Sequence, residues 1–370
     1  MEFLPVLAGE VTGNPERPGV PTLGEYTAGQ LRRLCEVASL DADDARTYTD
    51  VLVEALGPEA GRRLDLPPSG RTFLSDDHTP VEYSLSFRPD GPPDLRVLLE
   101  PGCGTDGLEE NGRAGLDAVH GMSRRWGFST TWLDKLEDLF LPQAPQGPLA
   151  LWCALELRPG GVPRVKVYLN PAARGAGRAA ETVREALDRL GHQWAYAALP
   201  PGDGHPFFAL DLGDWERPRV KVYVRHPGLP ATAAGDLSRM PAGPTAAALR
   251  EFAATAAGSP DARLSGLPVL SCHAFTDPAE DRPSGFTLHI PVRDYARHDG
   301  EALDRAVALL GRHGMDPAPL LRALPSLTGR RPQDGVGLIA YLALAHQRGW
   351  PPRLTVYLSA EAYAVRPPSG

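Results

Sequence analysis

The pentapeptide Arg-Val-Lys-Val-Tyr occurs twice, around Lys166 and Lys221, and no other feature limits the fold of this 370-residue chain so tightly. Side chains alternate faces along a β-strand, so Arg164, Lys166 and Tyr168 share one face while Val165 and Val167 take the other. Arg219, Lys221 and Tyr223 repeat the arrangement. Of 38 cationic residues only three are lysines, and two of them stand here. Compact ammonium groups beside planar guanidinium groups suit an anionic ligand such as phosphate, and the tyrosines add electron-rich faces. For one copy alone, an amphipathic strand with a solvated polar face is the plainer alternative.

Further copies exist. Aligned on the lysine, the segments holding Arg96, Thr287 with His289, and Thr355 with Tyr357 fall on the same template, and Arg353 matches Arg164 and Arg219. The spacing, roughly 55–70 residues, leaves room for a hairpin plus helices in each repeat. Each of these strands follows another short apolar or alternating run, beginning at Val81, Leu149, Phe207, Val269 and Leu338, with Gly/Pro-rich turns such as Pro89-Asp90-Gly91 and Pro159-Gly160-Gly161 between. Five antiparallel hairpins are predicted. Helical patterns lie between them over 110–126, 179–190, 245–257 and 301–313, with two more over 28–40 and 42–56. The predicted fold is α+β: ten antiparallel strands closed into a barrel, polar faces lining a solvent-accessible lumen, helices covering the apolar outside.

Composition narrows the function. No linker divides the chain, so one domain over 1–370 is expected. A net charge of −8 argues against a nucleic-acid surface and favours small anionic ligands held on internal strands. Four cysteines, Cys35, Cys103, Cys153 and Cys272, have no CxxC spacing and are too few for a disulfide framework, which points to a reducing cytoplasm. Met1-Glu2-Phe3 lacks a basic leader, and the longest apolar stretch is too short to span a bilayer, so no membrane association is expected.

Other chemistries find no support. The chain has no GxGxxG motif after a strand, no Walker loop and no GxSxG elbow. Asp41, Asp43 and Asp44 resemble the acidic motif of some terpene cyclases, but they open a predicted helix, where aspartates cap free N–H groups. The ten histidines form no ligand-spaced cluster, and no metal is expected. A bound diphosphate would have to be neutralised by lysine and arginine.

These residues resemble a family, the aromatic prenyltransferases of the ABBA barrel type, within its indole or dimethylallyltryptophan synthase-like branch. The likeness covers about 73–359 and rests on Glu82 in Pro-Val-Glu-Tyr-Ser, Arg96 ahead of Glu100-Pro101, both Lys-x-Tyr strands, and the Leu-Thr-Val-Tyr-Leu segment at Tyr357. It implies that Glu82 holds an indole N–H, that Arg96, Lys166, Arg219, Lys221, Thr287 and Arg353 grip a prenyl diphosphate, and that Tyr168, Tyr223 and Tyr357 shield the allyl cation. His289 joins that shield if neutral, although Thr287 and His289 replace the Gln-x-Tyr pair usual in fungal relatives. Phe73 and Leu74 fall where backbone groups contact the substrate amine. Asn170 replaces a tyrosine that holds the amino acid in some relatives, and no arginine stands near His205 for its carboxylate. The compact length resembles bacterial members.

The implied reaction makes chemical sense of the residues. Cations preorganised around a departing diphosphate stabilise its developing charge, aromatic faces stabilise the allyl cation, and a carboxylate that accepts the indole N–H makes the ring a better nucleophile. Glu82 shares the lumen face with Ser84 and Ser86. Glu156 is the candidate base for the ring proton, with a structural ion pair to Arg158 or Lys166 as its alternative, and Trp152 either packs on the bound indole or belongs to the core. The expected activity is metal-independent transfer of a dimethylallyl group from dimethylallyl diphosphate to the indole of L-tryptophan. Another acceptor (a cyclic dipeptide, tyrosine or indole alkaloid) is the alternative within enzymes. A non-catalytic barrel carrier of an anionic ligand is the alternative outside them.

Overall fold

The computed structural model describes residues 19–368, so the reading of Met1-Glu2-Phe3 lies outside the described residues. Its centre is a closed antiparallel barrel of ten strands: β1 Val81–Phe87, β2 Asp94–Leu99, β3 Leu151–Glu156, β4 Arg164–Leu169, β5 Phe208–Leu212, β6 Val220–His226, β7 Val269–Phe275, β8 Gly285–Ile290, β9 Ile339–Gln347 and β10 Trp350–Ser359. Each strand pairs with its neighbours in the chain, and β10 closes on β1 with Ser359 opposite Glu82. No barrel strand is left with an open edge. The hairpin turns use glycine where the backbone turns left-handed, as at Gly160, φ 91°, and Gly349, φ 78°.

Residue parity decides the faces. Tyr83, Leu85, Val97, Cys153, Val165, Val167, Leu210, Val222, Leu288 and Val356 point outward and merge with helical side chains into one buried apolar cluster. Helices α1 Leu23–Val37, α2 Ala42–Leu56, α3 Leu108–Trp126, α4 Ala179–Arg189, α5 Ala246–Ala257, α6 Asp299–Arg312 and α7 Ala318–Leu327 surround the barrel. Buried tyrosines tie the two layers: the Tyr83 hydroxyl donates to the Thr27 carbonyl at 2.8 Å, and that of Tyr48 to the Arg158 carbonyl at 2.6 Å. Asp41 caps α2, its carboxylate accepting from the Asp43 and Asp44 N–H groups, so the acidic triplet is a helix start. α7 has no counterpart among the predicted helices, because Pro319 and Pro325 interrupt its pattern. No helix among the described residues is long and apolar enough to cross a membrane.

Candidate active site

The five hairpins fill the lumen in three tiers. In the middle tier, Ser84, Ala154, Ala209, Cys272 and Ala343 of the first strands stand opposite Arg96, Lys166, Lys221, Thr287 and Thr355 of the second strands. Small residues thus face a cation in three hairpins and a threonine in two, and the space between them is the cavity. Towards the hairpin turns the pairs are Glu156 with Arg164, Asp211 with Arg219, and Ala345 with Arg353. Towards the long inter-hairpin connections they are Glu82 with Leu98, Trp152 with Tyr168, Phe207 with Tyr223, Leu270 with His289, and Tyr341 with Tyr357.

The lower tiers form a cationic chamber lined by Arg96, Arg164, Lys166, Arg219, Lys221, Thr287 and Arg353. Two acids share it. Asp211 lies 3.5 Å from Lys166 Nζ and accepts from Arg219 Nε at 2.7 Å. Burial pushes the Asp211 carboxyl up, but Lys166, Arg219 and Lys221 outweigh it and bring it down to about 2. Glu156 accepts from Arg96 at 2.8 Å and Arg164 at 3.3 Å. Burial again acts upward, and Arg96, Lys166 and Arg164 hold it far below the ordinary carboxylate range. Among the described residues Lys221 and Arg353 have no ion-pair partner within 4 Å. Burial, then Lys166 and Arg219, push the Lys221 ammonium well below its usual range; burial and Arg96 bring Arg353 down to about 10.

Above it lies an aromatic chamber lined by Phe73, Leu74, Trp152, Phe207 and Tyr341. Tyr168, Tyr223, His289 and Tyr357 line both chambers as a layer of rings with successive centroids 6.0, 5.7 and 5.9 Å apart. His289 is neutral, since burial and then Lys221 push it down to about 3. Glu82 also lines both chambers, 7% exposed, with no side-chain hydrogen bond or ion pair among the described residues. Burial raises its carboxyl to about 8, against a smaller lowering by Arg293. Trp152 is fixed by its indole N–H, which donates to Glu100 at 3.0 Å, and its ring packs on Phe207 at 5.2 Å. Phe73, 67% exposed, stands at the mouth, whereas Leu74 is buried.

Glu156, the candidate base, lines the cationic chamber and not the aromatic one, and its carboxylate is engaged by Arg96 and Arg164, with Arg158 3.9 Å away, which is the ion-pair arrangement. Asn170 is absent from both chambers, because its amide donates to the Gln146 and Leu149 carbonyls. Phe207, Asp211, Arg293 and Tyr341 line the lumen without having been site candidates in the sequence. Asp211 was visible only as the alternate residue of Phe-Ala-Leu-Asp-Leu. Arg293 lies beyond the end of β8, ion-paired through Nε to Asp76 at 2.9 Å and stacked 4.6 Å from the Tyr341 centroid, and Tyr341 sits where β9 shifts register. Among the described residues no group of three or more His, Cys, Asp or Glu is placed to hold a metal ion.

A ring layer between a cationic cradle and an aromatic chamber, inside a ten-stranded barrel wrapped by helices, defines a prenyltransferase of the ABBA barrel class. The family model described as tryptophan dimethylallyltransferase matches residues 25–319, and the chain belongs to that family. The prenyltransferase PriB, in a ternary complex with L-tryptophan and dimethylallyl thiolodiphosphate, is 64% identical, with 94% of this chain and 99% of PriB covered and a TM-score of 0.92. The 5-dimethylallyl tryptophan synthase of Streptomyces coelicolor, in complex with DMASPP and Trp, is 64% identical over 95% of this chain and 98% of its own, TM-score 0.91. The 6-dimethylallyltryptophan synthase of Micromonospora olivasterospora, with the same ligands, is 40% identical over 94% and 99%, TM-score 0.87.

Proposed function

We propose that this protein transfers a dimethylallyl group from dimethylallyl diphosphate to a carbon of the indole ring of L-tryptophan, with its own cations in place of a metal ion. The observation that carries this reading is the ring layer, with the cationic cradle on one side and Glu82 with the aromatic chamber on the other. The diphosphate oxygens lie among Arg96, Lys166, Arg219, Lys221, Thr287 and Arg353, so the electron pair of the breaking C–O bond is received by preorganised positive charge. The allyl cation then faces Tyr168, Tyr223, His289 and Tyr357, which stabilise it and exclude water.

Indole, bordered by Trp152 and Leu74, donates its N–H to Glu82 and attacks the cation. As the new C–C bond forms, positive charge spreads to the ring nitrogen, and Glu82, with its raised proton affinity, is suited to take that charge up as a shared proton. Transfer of the proton from the substituted carbon to the pyrophosphate released in the same reaction restores aromaticity. Arg293 is the cation lining the acceptor's chamber and suits the amino acid's carboxylate, with Asp76 beside it for the ammonium; Phe73 and Leu74 flank the same mouth.

Incubation with dimethylallyl diphosphate and L-tryptophan in EDTA, read by mass spectrometry, tests the reading. One added dimethylallyl unit on tryptophan is expected, at a rate within a few-fold of that with magnesium. Activity abolished by EDTA and restored by magnesium would remove the cationic cradle as the main diphosphate site, and no product on tryptophan under either condition would remove the acceptor.

A further inference from the structure

The two ends of the barrel differ. All five short hairpin turns gather at one end, and beyond the cradle they form a mouth of about 370 Å³ lined by Arg88, Arg158, Arg164 and Arg217. Trp215 and Trp350, 44% and 65% exposed, stand at its rim. The two acids that line it are paired, Glu156 with Arg96 and Arg164, leaving Arg158 3.9 Å away, and Asp211 with Arg219 and Lys166, while nearby Asp94 pairs with Arg88 at 2.5 Å. Asp214, in the same turn as Trp215, accepts from the Ser129 N–H. Arg217 has no ion-pair partner within 4 Å among the described residues, and both it and Arg158 are exposed. The opposite mouth is that of the aromatic chamber, bordered by Phe73, Leu74 and Phe207, with Arg293 already paired to Asp76.

We propose that the hairpin-turn mouth is a port for the diphosphate alone: prenyl diphosphate enters and pyrophosphate leaves there, while the amino acid uses the aromatic mouth, so each binds and departs independently of the other. This rests on the reading that the cradle holds a prenyl diphosphate. A multiply charged diphosphate that entered from the aromatic side would have to shed water among apolar side chains and then pass the ring layer, whereas the hairpin mouth offers an arginine at each stage. In a chain of net charge −8, a cationic funnel between low-dielectric walls also concentrates the field on one approach path.

Stopped-flow association of dimethylallyl thiolodiphosphate with the full chain, with and without saturating L-tryptophan, tests the port. Tryptophan is expected to slow association by less than about two-fold. In the Arg158→Glu/Arg217→Glu variant, association should slow at least about five-fold at low ionic strength, with the difference shrinking in salt and tryptophan affinity unchanged. Association blocked more than about ten-fold by tryptophan, or unaffected in a folded rim variant, would overturn the separate port. If the variant does not fold, the wild-type measurement with tryptophan decides alone. Failure of the analogue to bind the wild type at all would instead overturn the prenyl diphosphate reading, and the port with it.

Discussion

Glu82 concentrates the chemistry of the lumen in one side chain. It is placed among rings, away from the arginines that hold Glu156 and Asp211 ionised, and burial raises it from 4.5 to about 8. The native protein therefore keeps a proton that the unfolded chain gives up. The associated stability is complete below about pH 4.5 and is lost as pH rises through about 8. In Glu82→Gln that dependence should disappear, so the fall in melting temperature between pH 5 and pH 9 should be smaller than in wild type. Turnover should drop at least about 10²-fold with pyrophosphate binding intact. An indole N–H favours the ionised carboxylate, so tryptophan binding at pH 7 should release protons in wild type and none in the variant, read by calorimetry in two buffers of different ionisation enthalpy. Normal turnover in Glu82→Gln would take the residue out of the mechanism.

At the scale of the element, each hairpin divides its labour. The first strand brings a small residue to the middle tier and the second a polar one, a lysine where Ala154 pairs with Lys166 and Ala209 with Lys221. Methionine at Lys166 or Lys221 keeps the stem and removes the charge, so stability should change little or rise. Pyrophosphate affinity should fall by about 1.5–3 kcal/mol per lysine, with tryptophan affinity measured alone nearly unchanged. Lys135 provides the control, since it is exposed and lies 3.9 Å over the Trp132 ring outside the barrel. If Lys135→Met weakens pyrophosphate as much as the other two, or neither of them does, the cradle is misassigned. Around Lys135 the chain forms two short helical turns, Thr131–Asp134 and Glu137–Phe140, outside the barrel.

Closure makes the whole molecule depend on holding its last strand beside its first. Gln30 of α1 donates to the Leu327 and Ala360 carbonyls, both at 2.8 Å, linking the first helix to the chain just past β10. Arg330 reaches the buried Asp299 at 2.5 Å and Glu361 at 2.6 Å, while the other Asp299 oxygen accepts from the Gly337 and Ile339 N–H groups that start β9. Arg330→Met would leave two buried carboxylates without their cation, a loss of about 3–5 kcal/mol in denaturant unfolding. A loss below 1 kcal/mol would mean that the closure is held elsewhere.

The sequence by itself determined the hairpins, the face each residue takes and the repeated placing of cation and ring along the second strands. These follow from a period of two, which any strand segment carries locally. Only the tertiary structure decided which acid meets which cation, because Lys166 with Asp211 and Arg96 with Glu156 depend on register between strands of different hairpins. It also decided the division of the lumen into two chambers, the arrival of Arg293 and Tyr341 beside the acceptor's space, and the protonation of Glu82, since burial and field are sums over neighbours from the whole barrel.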